Sequence, residues 1–138
     1  MTGLASKKMG IKEGARAFLV NAPPDALRSI DPAQLKVATR LSGAFDYIHF
    51  FVKSQDGFNK EFPKLKAHLK PTGALWVSWP KNRKLGTELT LTKVIELGYD
   101  HGLVESKTIS IDETWSAIKF THPVEGKVYR NSYGKLKP

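Results

Sequence analysis

The feature that most restricts the fold lies in the middle of the chain. Tyr47 to Val52 is a short apolar run rich in aromatic and β-type residues, the composition of a buried strand. Behind it, Phe58, Phe62, Leu65 and Leu69 recur at spacings of four, three and four, the apolar stripe of a helix between about Ser54 and Leu69, with Pro63 expected to kink or restart it. Ala74 to Trp79, closed by Pro80, is a second strand-like run. A strand, a helix and a strand in that order demand a crossover, so the two strands run parallel and the helix lies against one face of their sheet.

The flanking segments extend the rhythm. Ala17 to Val20 reads as a first buried strand, stopped by Asn21-Ala22-Pro23-Pro24, and Pro24 to Ile30 as a short helix with proline in its first turn. Leu35 to Leu41 is expected to be a second strand, Ser42-Gly43 a turn, and Lys70 to Gly73 a turn ahead of the Ala74 strand. Leu91, Val94 and Ile95 mark a further helix that Thr90 caps and Gly98 ends. Leu103 to Ile111 and Trp115 to Thr121 are separated only by Asp112-Glu113-Thr114, so they pair as an antiparallel hairpin. The expected fold is α/β, with a mostly parallel sheet of about six strands, helices on both faces and an antiparallel hairpin at the end.

Length and charge set the remaining bounds. At 138 residues and 41% hydrophobic content, one domain with a real core is expected, over residues 14–122. Residues 1–13 read as a flexible basic segment and 123–138 as a basic tail. The formal charge of +9 is uneven. Lys7, Lys8, Lys12 and Arg16 against Glu13, and Lys127, Arg130, Lys135 and Lys137 against Glu125, leave +3 at each end and +3 for the body. No apolar run approaches the roughly 20 residues of a membrane span, and no secretory signal is legible at the start, so a cytoplasmic protein without a membrane partner is expected. There are no cysteines, which removes disulfide, thiolate-metal and cysteine-nucleophile chemistry.

The stretches IKEGARAFLVNAP and LKPTGALWVSWPK, together with the terminal hairpin, resemble the first strand and a helix-turn-strand segment of class I S-adenosylmethionine methyltransferases. The blocks LVNAP, FDYIHFFV, LWVSWPK and DETWSAIKF, in that order, resemble an uncharacterised bacterial family of small domains of unknown function. The resemblance implies a three-layer, Rossmann-like, methyltransferase-like fold. Three departures argue against the activity. The loop after the first strand, Asn21 to Ala26, has no glycine and two prolines, where close backbone approach to a cofactor needs small residues and free N–H groups. The second strand ends in Thr39, Arg40 and Leu41 without a carboxylate for ribose hydroxyls. One strand-helix unit of a full methyltransferase is missing before Phe45.

Ligands of open α/β sheets collect at the carboxyl ends of the parallel strands. Here that edge collects Asn21, Lys53, Trp79, Pro80, Lys81, Asp112, Glu113, Thr114 and Trp115. They would offer an amide, lysines, two carboxylates and stacking surfaces to a planar or polar ligand. The alternative is that Asp112 and Thr114 shape a tight hairpin while the tryptophans fill core. His49, His68, His101 and His122 lack metal-ligand spacing, and Ser78 sits in a strand rather than on a nucleophile elbow, so no metal and no catalytic residue is expected. The function expected is a non-catalytic module binding a small ligand or a protein, with no cofactor. The first alternative is an S-adenosylmethionine-dependent methyltransferase. The second is a nucleic-acid-binding protein using Lys81, Arg83, Lys84 and the basic tails.

Overall fold

The computed structural model describes residues 8–127 and 136. Its elements follow in the order β1 (Arg16–Val20), α1 (Pro24–Ile30), β2 (Lys36–Val37), β3 (Phe45–Phe51), α2 (Gln55–Ala67), β4 (Leu69–Pro80), α3 (Leu91–Asp100), β5 (Val104–Ser110) and β6 (Trp115–Thr121). They form one six-stranded sheet in the order β2-β1-β3-β4-β6-β5. The pairs β2-β1, β1-β3 and β3-β4 are parallel, while β4-β6 and β6-β5 are antiparallel. The expected α/β architecture with its terminal hairpin is therefore the one the chain adopts.

Each helix starts and stops for a local reason. α1 has Pro24 in its first turn and ends where Asp31 turns left-handed, at φ 56°. The Ser54 side chain caps α2 by accepting from the Gly57 N–H at 3.0 Å. Pro63 does not restart the helix: it lies inside α2, which is one helix through to Ala67. Thr90 caps α3 through the Lys93 N–H, as expected. Gly98 does not end that helix: it is buried inside it, where a Cβ would lie 2.1 Å from the Phe120 ring, and the chain leaves the helix at His101–Gly102 instead.

Two further expectations fail for reasons of pairing. The second strand shrinks from Leu35–Leu41 to Lys36–Val37, because it pairs only with the first residues of β1 and has no neighbour on its other side. Lys70 to Gly73 is not a turn outside the sheet. It belongs to β4, whose register against β3 slips between Phe45 and Tyr47 as in a β-bulge, and Gly73 packs against backbone there: an added Cβ would stand 2.8 Å from the Phe45 carbonyl. No helix lies between β2 and β3. Arg16 holds that crossing, its guanidinium donating to the Ser42 and Ala44 carbonyls at 2.7 and 2.8 Å and lying 4.0 Å from the centre of the Phe45 ring.

The sheet divides the core in two. On one face α2 and α3 bury Phe58, Phe62, Leu65, Val94 and Ile95 against Ile48, Phe50, Leu75, Val77 and Trp79. On the other, the short α1 brings Ala26 and Ile30 onto Tyr47, Phe51, Trp76 and Trp115. Met9 is buried in this second cluster, and the Lys107 ammonium donates to the Lys8 carbonyl, so packing begins ahead of Gly14. The expected tail residues 128–135, 137 and 138 lie outside the described residues, as do 1–7. No helix among the described residues is long and apolar enough to cross a membrane.

Candidate functional site

The carboxyl edge of the sheet carries a cleft of about 650 Å³, into which three separate parts of the chain converge. Asn21 and Pro23 enter from the end of β1, Lys53 and Ser54 from the end of β3, and Thr114 and Trp115 from the hairpin. Asn21 turns left-handed at φ 57°, a conformation an asparagine tolerates, so the chain bends there as it would at a glycine while presenting an amide side chain. Trp115 is buried and meets the Phe51 ring edge-on at 5.2 Å. Glu61 from α2 and Leu85 from the segment after β4 also line it, and neither is singled out by the sequence pattern.

Other residues of the expected edge site do different things. Asp112 shapes the hairpin, its carboxylate accepting from the Thr114 and Trp115 N–H groups, both at 2.8 Å. Glu113 is exposed and its carbonyl accepts from the Lys84 ammonium at 2.8 Å. Lys81 donates to the Ser110 hydroxyl at 2.5 Å and the Asp112 carbonyl at 2.6 Å, tying the loop after β4 to the same hairpin. Pro80 is the buried last residue of β4, opposite Trp115 in the register. That pairing separates the two tryptophans. Side chains alternate between faces along a strand, so Trp79, one residue before Pro80, belongs to the core on the face opposite Trp115. Trp79 and Lys81 line a different, smaller cleft of about 410 Å³ beside Thr90. The two indoles line separate clefts.

A polar chain crosses the α1 face of the sheet. The Tyr47 hydroxyl lies 2.5 Å from His49 Nδ1, and His49 Nε2 lies 2.6 Å from Ser78 Oγ. His49 also stacks on Phe51, with ring centres 4.4 Å apart. Burial pushes the imidazole down to about 3, and it raises the Tyr47 phenol well above its usual range, so both stay neutral near pH 7. Serine, histidine and tyrosine stand here in the order of nucleophile, base and orienting group. Yet His49 and Ser78 have no exposed surface and Tyr47 almost none, which shuts a substrate out. The chain is a core network. Tyr47 and His49 sit two apart on one strand face, a signal present in the sequence, but Ser78 joins them only through the β3-β4 register.

The fold is that of the class I methyltransferases: an α/β domain with a six-stranded, mostly parallel Rossmann-like sheet and an antiparallel C-terminal hairpin. A TehB-like S-adenosylmethionine-dependent methyltransferase from Corynebacterium glutamicum superposes with a TM-score of 0.58 at 12% identity, covering 88% of this chain and 87% of that one. The 1,6-didemethyltoxoflavin-N1-methyltransferase of Burkholderia thailandensis, bound to 1,6-didemethyltoxoflavin and S-adenosylhomocysteine, gives 0.56 at 11% identity over 83% and 73% of the two chains. A ribosomal protein methylase from Lactobacillus delbrueckii subsp. bulgaricus gives 0.55 at 10% identity over 87% and 76%. No protein-family model matches the sequence, and no curated protein does. The likeness carries the fold. The narrower likeness to a bacterial family of small domains finds no match.

The residues at the edge do not fit S-adenosylmethionine in the manner this fold requires. Pro23 and Pro24 have no N–H to offer at the start of α1. β2 is two exposed residues long, and Ala38, Thr39 and Arg40 beyond it supply no carboxylate for a ribose. A carboxylate does reach the cleft, but from Glu61 on α2.

Proposed function

We propose that this chain binds a small molecule at the carboxyl edge of its sheet and performs no chemistry on it. The observation that supports the reading is the convergence on one cleft of Asn21, Lys53, Thr114 and Trp115 from three separate parts of the chain. Its chemistry is mixed: an amide, two hydroxyls, one ammonium, one carboxylate and an aromatic floor. These groups suit a flat ligand with polar substituents. The buried Tyr47-His49-Ser78 chain is closed to substrate and supplies no nucleophile.

S-adenosylmethionine-dependent methyl transfer is the second reading, favoured by what the structurally similar proteins are described as doing. Isothermal titration of the full chain with S-adenosylmethionine and with S-adenosylhomocysteine separates the two. The first reading expects no heat of binding up to millimolar ligand, together with thermal stabilisation by members of a heteroaromatic compound panel that is lost in Lys53→Ala or Asn21→Ala. Micromolar binding of either adenosyl compound would overturn it in favour of the second. Nucleic-acid binding has less to rest on, since the Lys81 and Lys84 ammonium groups bond to the hairpin.

A further inference from the structure

Leucine is among the residues least suited to a left-handed backbone, because its Cβ crowds the following carbonyl. Leu85 nevertheless has φ 55° and ψ 23°. The Thr87 N–H donates to the Lys84 carbonyl at 3.2 Å, and Gly86 has φ 72°, so Lys84 to Thr87 form a turn with both central residues left-handed. Such a turn takes asparagine, aspartate or glycine at the position Leu85 occupies. Asn82 and Arg83, just before it, are left-handed too.

Burial does not repay the strain, since Leu85 is 60% exposed. Its surroundings hold the turn in place: Lys81 and Lys84 are bonded to the hairpin on one side, and on the other the Thr87 hydroxyl, in a buried residue, donates to the Lys53 carbonyl at 2.6 Å. What the turn achieves is to put an apolar side chain on the wall of the same cleft that Trp115 and the left-handed Asn21 line. Strained backbone of this kind persists where surrounding structure fixes it, and concentrates at ligand sites.

We propose that Leu85 is a ligand-contacting, specificity-determining residue of the edge cleft, held in a strained turn so that the cleft selects molecules with a flat apolar ring. The proposal rests on the small-molecule reading above.

The test uses three variants of the full chain and the dye 8-anilinonaphthalene-1-sulfonate as the flat apolar probe. Leu85→Asn relieves the strain and removes the contact, so its Tm rises by roughly 2–5 °C while dye affinity falls about fivefold to tenfold. Leu85→Ala keeps the strain and removes the contact, so affinity falls alike with little change in Tm. Leu91→Ala, on the neighbouring cleft, leaves dye binding as in the parent. A lower Tm for Leu85→Asn, unchanged affinity in both Leu85 variants, or equal weakening by Leu91→Ala overturns the proposal. If the parent chain shows no saturable dye binding, the small-molecule reading of the cleft fails with it, and the Tm comparison still decides whether the turn is strained.

Discussion

His49→Gln should remove most of the acid sensitivity of this fold between pH 7 and pH 4.5. His49 is buried without exposed surface between Tyr47, Ser78 and Phe51, and burial holds its imidazole at about 3, against 6.5 for a free side chain. A folded value below the unfolded one means that the unfolded chain takes up the proton first. Stability is therefore complete above pH 6.5 and falls as the pH drops from there toward 3. Each unit in the middle of that window removes about 1.4 kcal/mol, so the loss from pH 7 to pH 4.5 is about 2.5 kcal/mol, and about 4 kcal/mol by pH 3. The first figure is already a large part of a marginal stability of roughly 5–15 kcal/mol. Asp46 does not interfere in this range. Its carboxylate is held below 3.8, first by the Arg16 N–H and then by Lys70, so the stability it contributes is present above 3.8 and is lost only at lower pH. Glutamine keeps a donor and an acceptor between Tyr47 and Ser78 but does not titrate. Urea unfolding at half-unit steps between pH 7 and 4.5 reads the slope, whatever the variant's absolute stability. A variant as acid-sensitive as the parent would falsify the assignment of that slope to His49.

Three other outcomes follow from the packing. Gly98→Ala should destabilise by about 1–3 kcal/mol in urea unfolding despite its gain in helix propensity, because the new Cβ meets the fully buried Phe120 ring; adding Phe120→Leu should recover part of the loss. Gly73→Ala should cost about as much, with no rescue by a side-chain change, since the obstacle is the Phe45 carbonyl of the backbone. Asp112→Ala should lower stability by about 1–2 kcal/mol and raise amide exchange at Thr114 and Trp115, whose N–H groups lose their shared acceptor.

The elements legible in the sequence are those whose signal is local. The β3 run, the apolar stripe of α2, the Thr90 cap and the hairpin between Ile111 and Trp115 depend on neighbours within a few positions, and each forms. What could not be read depends on partners. Leu35 to Leu41 has strand composition, but only β1 is there to pair with it, and only over two residues. Pro71 and Gly73 look like turn residues because sequence does not reveal that a bulge against Phe45 needs them. At the edge, Asn21, Lys53, Thr114 and Trp115 were accessible as strand ends, whereas the face of Trp79 was not. Its parity relative to Trp115 is set by the antiparallel β4-β6 pairing, which places Pro80 rather than Trp79 opposite Trp115. Glu61 and Leu85 escaped for the same reason, one from the interior of a helix and the other from a turn whose handedness leaves no compositional mark apart from Gly86.

The Arg16 clasp has a consequence for how the molecule opens. In a sheet of this kind a helix would ordinarily carry the chain from β2 back to β3, and would bring its own apolar surface to the task. Here the crossing is held by one guanidinium gripping carbonyls 26 and 28 positions away, one backbone N–H bonded to Asp46, the His68 ring bonded to the Gly43 carbonyl, and Ala38 and Leu41 packed on the core. With β2 joined to β1 over two residues only, that edge of the sheet should be the first to open, read as faster amide exchange at Lys36 and Ala38 than along β1, β3 and β4.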